Sequence, residues 1–417
     1  MLKRAAIIFA LVSSCATTVA AADNARTLQI IVSKDSQSLA VYDGGTVIAT
    51  SKVSTGKEGH DTPTGIFSVL EKRKYHESNL YSNAPMPWMQ RLTWSGIALH
   101  ESNSVPNYPA SHGCVRLPAA FAKSLYQMTT RGVHVIISDA AVSPQPITHA
   151  ALFAPPAERP AGNVLSDASL RPSSADQAVR QVEVAMNMPA SPVSLPLPKE
   201  AASAADEPAP LRILITRRSE RETIADVQAM LTELGFDAGT VDGILGSATR
   251  SAIDAYKRWK GFATKGPVLT AEVLSALYAS SGRAEPPTGQ LLVRQGFQEV
   301  LSEPIVLADP NVALGTHFLS VTAINRDKGT AEWQGLSLAN HLPEATRKRL
   351  GITSDAVEGP DALKAVLDRI HVPEDLRQRI GAMISTGTSL TISDTGVGPE
   401  TTKGTDFITV THRPPRG

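Results

Sequence analysis

The strongest constraint on how this chain folds is that part of it occurs twice. Residues 117–139, LPAAFAKSLYQMTTRGVHVIISD, align without a gap to residues 372–394, VPEDLRQRIGAMISTGTSLTISD. Pro118, Met128, Gly132, Ile137, Ser138 and Asp139 recur as Pro373, Met383, Gly387, Ile392, Ser393 and Asp394. Upstream, and in the same order, TWSGIALH (93–100) matches EWQGLSLA (332–339), with Trp94, Gly96 and Leu99 recurring as Trp333, Gly335 and Leu338. Self-similarity of this kind implies one domain present in two copies, the second diverged. The differences are concentrated: His100 corresponds to Ala339, His112 to Leu367, Cys114 to Arg369 and Arg116 to His371. Scaffold residues persist while reactive ones are replaced. Those four side chains are therefore dispensable for the fold, and the C-terminal copy is expected to be non-catalytic.

The first copy reads as mainly β. LQIIVSKDSQSLAVYDGGTVIATSKVSTG alternates β-branched runs with Lys34-Asp35 and Asp43-Gly44-Gly45, which are hairpin signals. TPTGIFSVLEK, GIALHES and GVHVIISD supply further strands. One helix is predicted at 118–128, with Pro118 in its first turn and Phe121, Leu125 and Met128 on one face. From 141 to 210 the composition shifts to Ala, Pro and Ser, which cannot bury enough apolar surface to order a segment. We read it as a flexible tether, with a short helical stretch at 174–188. Beyond it, IADVQAMLTELGF places Val227, Met230, Leu231 and Leu234 on one stripe ended by Gly235. Two more helices follow, one carrying Ala252, Ile253 and Tyr256, the other N-capped by Thr270. The chain thus divides into a leader at 1–22, a mainly-β domain at 23–140, a linker at 141–210, a three-helix module at 211–282 and a diverged α+β domain at 283–417.

The leader, MLKRAAIIFALVSSCATTVAAADN, has a basic start, an apolar core and a small-residue cleavage site after Ala22, which is a secretory pattern. Val12-Ser13-Ser14-Cys15 also fits a bacterial lipoprotein processing site, which would leave Cys15 lipidated as the chain's one route to a membrane. Either route exports the protein to the periplasm or cell envelope. Formal net charge is zero and no basic run stands out, so nucleic acid is excluded as a partner class.

Export gives the remaining cysteine its meaning. The chain has two cysteines, and beyond the leader only Cys114 is left. With no partner for a disulfide, it is a candidate nucleophile, a metal ligand or a buried apolar filler. Its neighbours favour the first. A thiol with an ordinary pKa of about 8.5 needs a base beside it. His112 is close in sequence, whereas His100 ends a strand and can meet Cys114 across the turn-rich ESNSVPNYPA. The amides around Gly113 and Cys114 are candidates for an oxyanion hole. Arg116 suits a substrate carboxylate or a structural ion pair. His100, His112 and Cys114 also form a possible zinc set, but the only nearby carboxylate, Glu101, falls on the opposite face of the strand from His100.

At these residues, IALHES followed by ASHGCVRLP resembles the signature of bacterial L,D-transpeptidases with the YkuD-type fold. The resemblance covers 28–139 and includes TPTGIFSV. It implies Cys114 as nucleophile and His100 as general acid/base. His112, Ser111 and Gly113 would shape the site, and Arg116 would face substrate. The implied reaction attacks the carbonyl before the terminal D-alanine of a peptidoglycan tetrapeptide. D-alanine leaves, a thioester forms, and an amine of a second stem resolves it. No cofactor or metal is implied, and carbapenems are expected to acylate the cysteine. The helical module resembles a peptidoglycan-binding domain, with VDGILGSATRSAI at its Asp-Gly-x-x-Gly-x-x-Thr-Arg position. Two modules directed at one polymer make peptidoglycan the expected partner. Hydrolysis of stem peptides by the same cysteine, and a non-catalytic wall-binding scaffold, stay open as alternatives.

Overall fold

The computed structural model describes residues 27–78, 83–157, 208–340 and 342–412. The leader, Cys15 and the stretch at 174–188 lie outside the described residues.

The first domain begins with β1 (Leu28–Ser33), β2 (Ser38–Asp43) and β3 (Thr46–Lys52), an antiparallel meander. Gly44 and Gly45 join β2 to β3 with φ of 52° and 86°, the left-handed pair that a two-residue hairpin needs. Then come β4 (Thr64–Ser68), β5 (Glu71–Arg73), β6 (Met89–Arg91), β7 (Ala98–Glu101), β8 (Val115–Leu117), α1 (Ala119–Met128) and β9 (His134–Ser138). Strands β5–β6–β7–β8 form a small second sheet. In the main sheet β1, β4 and β9 are buried on both faces. Ile30, Val32, Phe67, Val135 and Ile137 pack with Leu99, Val115, Leu117 and Leu125. The alternate residues Ile31, Ile66 and Ile136 pack on Phe318, Leu336 and Leu338 of the C-terminal domain. A strand with period two and a core on each side reads as one apolar run.

After β10 (Gln145–Ile147), the C-terminal domain opens with β11 (Arg212–Arg217). The three helices follow: α2 (Glu220–Glu233), α3 (Ser247–Lys260) and α4 (Ala271–Ser280). Ser219 and Glu222 start α2 with a reciprocal capping box, and Thr270 caps α4. The chain returns through β12 (Gly289–Gln295), β13 (Gln298–Leu307), β14 (Thr316–Asn325) and β15 (Thr330–Leu338). It ends with α5 (Glu344–Leu350), α6 (Ala362–Asp368), β16 (Ile370–His371), α7 (Glu374–Met383), β17 (Ser389–Ser393) and β18 (Thr409–His412).

The order β4–β9–β1–β2–β3 reappears as β14–β17–β11–β12–β13, with the same orientations. In both, the first strand lies parallel to the last of its set: Gln29 opposite His134, and Arg212 opposite Ser389. His134 and Ser389 occupy matching places in the longer sequence alignment, and they touch each other, Nε2 to Oγ at 3.0 Å. Arg212 donates both to the Gly132 carbonyl (3.2 Å) and to the Gly387 carbonyl (2.7 Å), another matching pair. Contacts between like positions are those of a two-fold arrangement.

The structure corrects the expected boundaries in three places. Residues 141–157 are not tether: β10 pairs with β15, Leu152 and Phe153 enter the C-terminal core, and Trp333 Nε1 donates to the Phe153 carbonyl at 2.9 Å. Leu152 and Phe153 bury themselves beside an existing sheet edge although the stretch is Pro/Ala-rich, which an average over composition hides. The helical module does not begin at 211, because β11 pairs with β12 and β17; the helices are an insertion in the β11–β12 hairpin. Lastly, β18 lies not in the C-terminal sheet but beside β4 in the first.

The shorter sequence match fails in space. TWSGIALH ends in β7 of the small sheet, whereas EWQGLSLA lies in β15 of the eight-stranded sheet. Trp333 is buried and Trp94 is half exposed, so Ala339 is not the counterpart of His100. The shared letters reflect the alternation common to half-buried strands.

Candidate active site

The site is built on two adjacent parallel strands. In β7 and β8, Leu99 faces Val115 and His100 faces Arg116. Cys114, two residues before Arg116, therefore points to the same side as His100 and Arg116. Leu99, Val115 and Leu117 are fully buried on the other side, which fixes the register. Ser54 clamps β8 from its far edge: Arg116 N donates to Ser54 O at 2.9 Å and Ser54 N to Arg116 O at 3.1 Å.

The turn into Cys114 is held by short polar side chains. Ser111 is buried; its Oγ donates to the Cys114 carbonyl and accepts from Gly113 N at 3.1 Å. Thr62 Oγ1 donates to the Gly113 carbonyl at 2.8 Å. Gly113 has φ of 109°, and a Cβ there would stand 2.9 Å from Ile97 Cδ1, so only glycine fits. Ser111 and Gly113 thus shape the turn. The Gly113 amide, expected to face an oxyanion, is committed to Ser111 instead.

Cys114 is half-buried, and its Sγ donates to the Gly96 carbonyl at 3.4 Å. Burial pushes the thiol up to about 11, opposed by a backbone hydrogen bond from Ala98 and the charges of Arg91 and Arg116. Burial also lowers His100 to about 4. His100 Nδ1 lies 2.7 Å from the Glu101 carbonyl. A carbonyl only accepts, so Nδ1 carries the proton and Nε2 keeps its lone pair. Both members of the pair are neutral at rest. His112 is exposed at the rim, its ring edge-on to His60 at 4.6 Å, and is lowered by partial burial and by Lys57, His60 and Arg116.

All six residues expected from the sequence converge here. His100, Ser111, His112, Cys114 and Arg116 line one cleft of about 90 Å³, and Gly113 lies in the turn between them. The opposite wall is Ser78, Ala84, Pro85 and Met86, which no motif singled out. Among the described residues, no three His, Cys, Asp or Glu side chains come together as a metal site, and no helix is long and apolar enough to cross a membrane.

Residues 28–137 match the YkuD family model, described as the L,D-transpeptidase catalytic domain, and residues 220–277 match a putative peptidoglycan binding domain. Among solved structures, the chain is similar to an L,D-transpeptidase from Mycobacterium smegmatis, at 23% identity and a TM-score of 0.26, over 27% of this chain and 59% of that one. An L,D-transpeptidase from Stackebrandtia nassauensis matches at 28% identity and a TM-score of 0.26, over 27% and 56%. One from Xylanimonas cellulosilytica matches at 28% and 0.25, over 26% and 59%. The matched region spans a little over half of each of those chains. No curated protein matches. By the family models, the chain carries an L,D-transpeptidase catalytic domain and a peptidoglycan-binding domain.

Proposed function

We propose that the protein is an exported cell-wall L,D-transpeptidase that works through a thioester on Cys114. The observation that carries this reading is the His100–Cys114 arrangement: neighbouring parallel strands, one cleft, and a His100 tautomer whose free Nε2 is available as a base. His100 Nε2 accepts the thiol proton as Sγ attacks the carbonyl before the terminal D-alanine of a tetrapeptide stem. The same proton passes to the leaving nitrogen, and D-alanine departs. His100 then takes a proton from an acceptor amine, which attacks the thioester to form the cross-link and restores the thiol. A raised thiol and a lowered imidazole favour the neutral pair, so proton transfer belongs to the attack itself. Arg116, with Arg91 close enough to influence Cys114, suits the carboxylates of stem peptides.

The helical module would hold the enzyme on its polymer and raise the local concentration of stems. We read the C-terminal sheet as a second copy that has lost the site, on the strength of the shared strand order and register. The secretory leader places the substrate and enzyme in the same compartment, with lipidation of Cys15 as the alternative to cleavage after Ala22.

The test is intact mass and product analysis with disaccharide-tetrapeptide, for the natural chain and Cys114→Ala. A Cys114-dependent dimer with loss of D-alanine is the expected result. Tripeptide without dimer would replace transfer by hydrolysis, and no Cys114-dependent turnover or adduct would remove the enzymatic reading.

A further inference from the structure

The turn at 93–97 touches the nucleophile, and the C-terminal domain touches the turn. Within it, Gly96 N donates to Thr93 O at 3.2 Å and Leu92 N to Ile97 O at 2.8 Å. Thr93 Oγ1 accepts from Ile97 N at 3.0 Å. Its outputs are the Gly96 carbonyl, which accepts the Cys114 thiol, and the Ile97 side chain, which abuts Gly113. From outside, Glu400 is buried and its Oε2 accepts from Trp94 N at 2.7 Å and Ser95 N at 3.4 Å. Glu400 is itself anchored in the catalytic domain. Next to it, Thr401 Oγ1 accepts from Ile408 N at 2.8 Å, Ile408 lies in the core of the first domain, and β18 pairs with β4. At Gly65 a Cβ would meet the Thr409 carbonyl at 2.1 Å, so β4 is shaped for this strand.

We propose that Glu400 is a positioning residue for Cys114: through the 93–97 turn, the C-terminal segment sets the place of the Gly96 carbonyl and hence of the thiol. The proposal rests on Cys114 being the reactive group. A carbonyl accepting from the thiol stabilises the protonated form and holds Sγ in one orientation. Loosening the turn frees the thiol, lets water reach it and so relieves the burial that raises it, and spoils the aim of the thiolate. The groups facing Cys114, namely Arg91, Arg116, His100 and His112, are unchanged by substitution at Glu400.

The experiment uses the full chain and the variants Glu400→Ala and Glu400→Gln. The Cys114 peptide is followed by mass spectrometry as iodoacetamide modifies it across pH, and tetrapeptide turnover is measured in parallel. Glu400→Ala is expected to lower the alkylation midpoint by one pH unit or more and to reduce kcat tenfold or more with KM within twofold. Glu400→Gln, which keeps an acceptor but no charge, should fall between. Superimposable alkylation profiles and unchanged kcat would overturn the proposal; if the alanine variant does not fold, the glutamine variant decides alone. A natural chain that alkylates with the expected difference but turns over no tetrapeptide would sink the transpeptidase reading and leave the positioning role standing.

Discussion

The two halves of this molecule carry the same five strands and differ in how those strands are joined and extended around the candidate site. In the C-terminal sheet β14 and β15 form one long hairpin, bulged between Val321 and Ala323, with Thr316 opposite Leu338 and Asn325 opposite Thr330. In the first domain the corresponding hairpin is interrupted. Strands β5 and β6 pair at Glu71 and Arg91, but the chain then turns at 93–96 and runs back as β7, carrying His100 to β8. The stretch of β4 left without a neighbour is taken by β18. At the other end of the site, Arg116 sits opposite Ser54, just past the end of β3, and His371 opposite Val306 in β13. The place of Cys114 is held by Arg369, whose guanidinium donates to the carbonyls of Ala308, Asp309, Val312 and Ala313. The shared scaffold thus supplies no reactivity by itself. A broken strand brings His100 to the cleft, and where Arg369 ties down a loop in the C-terminal domain the first domain has Cys114.

Substitution at the matching positions gives the sharpest contrast. Cys114→Ala should reduce tetrapeptide turnover by about 10⁴-fold or more, with little change in melting temperature. Arg369→Ala should do the reverse: turnover per folded molecule unchanged, and a loss of about 2–4 kcal/mol in urea unfolding, because four carbonyls lose a charged donor. Equal effects on turnover would break the comparison. His100→Ala should reduce acylation by about 10²–10⁴-fold. In the natural chain acylation should fall as pH drops through about 4, where His100 becomes protonated and can no longer accept. Stopped-flow acylation by a carbapenem over pH 3–8 checks both, and a fall centred well above 4 would mean that the base is not the buried His100.

What could be read from the sequence follows how local each signal is. The hairpins, α1, the capped helices and the SHGC turn are fixed by residues within a few positions of one another, so they were legible. That His100 and Cys114 line one cleft is readable because only a short, turn-rich segment separates them. The Glu400 contact carries no such signal: it meets the 93–97 turn some 300 positions away through two backbone amides, and nothing about a lone glutamate in GPETTKG marks it. The role of Gly65 in TPTGIF was equally hidden, since the strand that approaches it lies at 409–412. Domain boundaries failed for a related reason. β10, β11 and β18 each belong to a sheet most of whose strands are distant in sequence, and composition within a window carries no pairing information.

A second matched pair tests burial in place of chemistry. Lys34 and Asp139 of the first domain form an ion pair at 2.8 Å with side-chain exposures of 16% and 43%. Arg217 and Asp394, at the matching positions, pair at 2.6 Å with exposures of 8% and 2%. Asp394 also accepts from the amides of Leu314 and Gly315. Asp394→Asn should therefore cost about 3–5 kcal/mol, as it strands a buried guanidinium. Asp139→Asn should cost less than about 1 kcal/mol. Urea denaturation of both variants measures the difference, and similar losses would mean that the C-terminal pair is solvated.

A further contrast concerns a position where the first domain has no side chain at all. Gly65 and His317 hold matching places, opposite Ile137 and Ile392. His317 is buried; its Nε2 donates to the Leu314 carbonyl at 2.9 Å and its Nδ1 accepts from the Ser337 hydroxyl at 2.7 Å. Burial lowers it from about 6.5 to about 4. The unfolded chain then binds a proton between those values that the folded chain does not, so stability falls as pH drops from 6.5 and levels off below 4. For this group the change is up to about 3 kcal/mol, at 1.36 kcal/mol per unit. His134 is lowered in the same direction by burial and contributes equally to the natural chain and to a variant at 317. The difference between the natural chain and His317→Gln in unfolding free energy, measured from pH 4 to 7, isolates the second copy. It should shrink steadily as the pH falls, and a difference independent of pH would mean that His317 titrates in the folded protein as it does in the unfolded chain, because water reaches it.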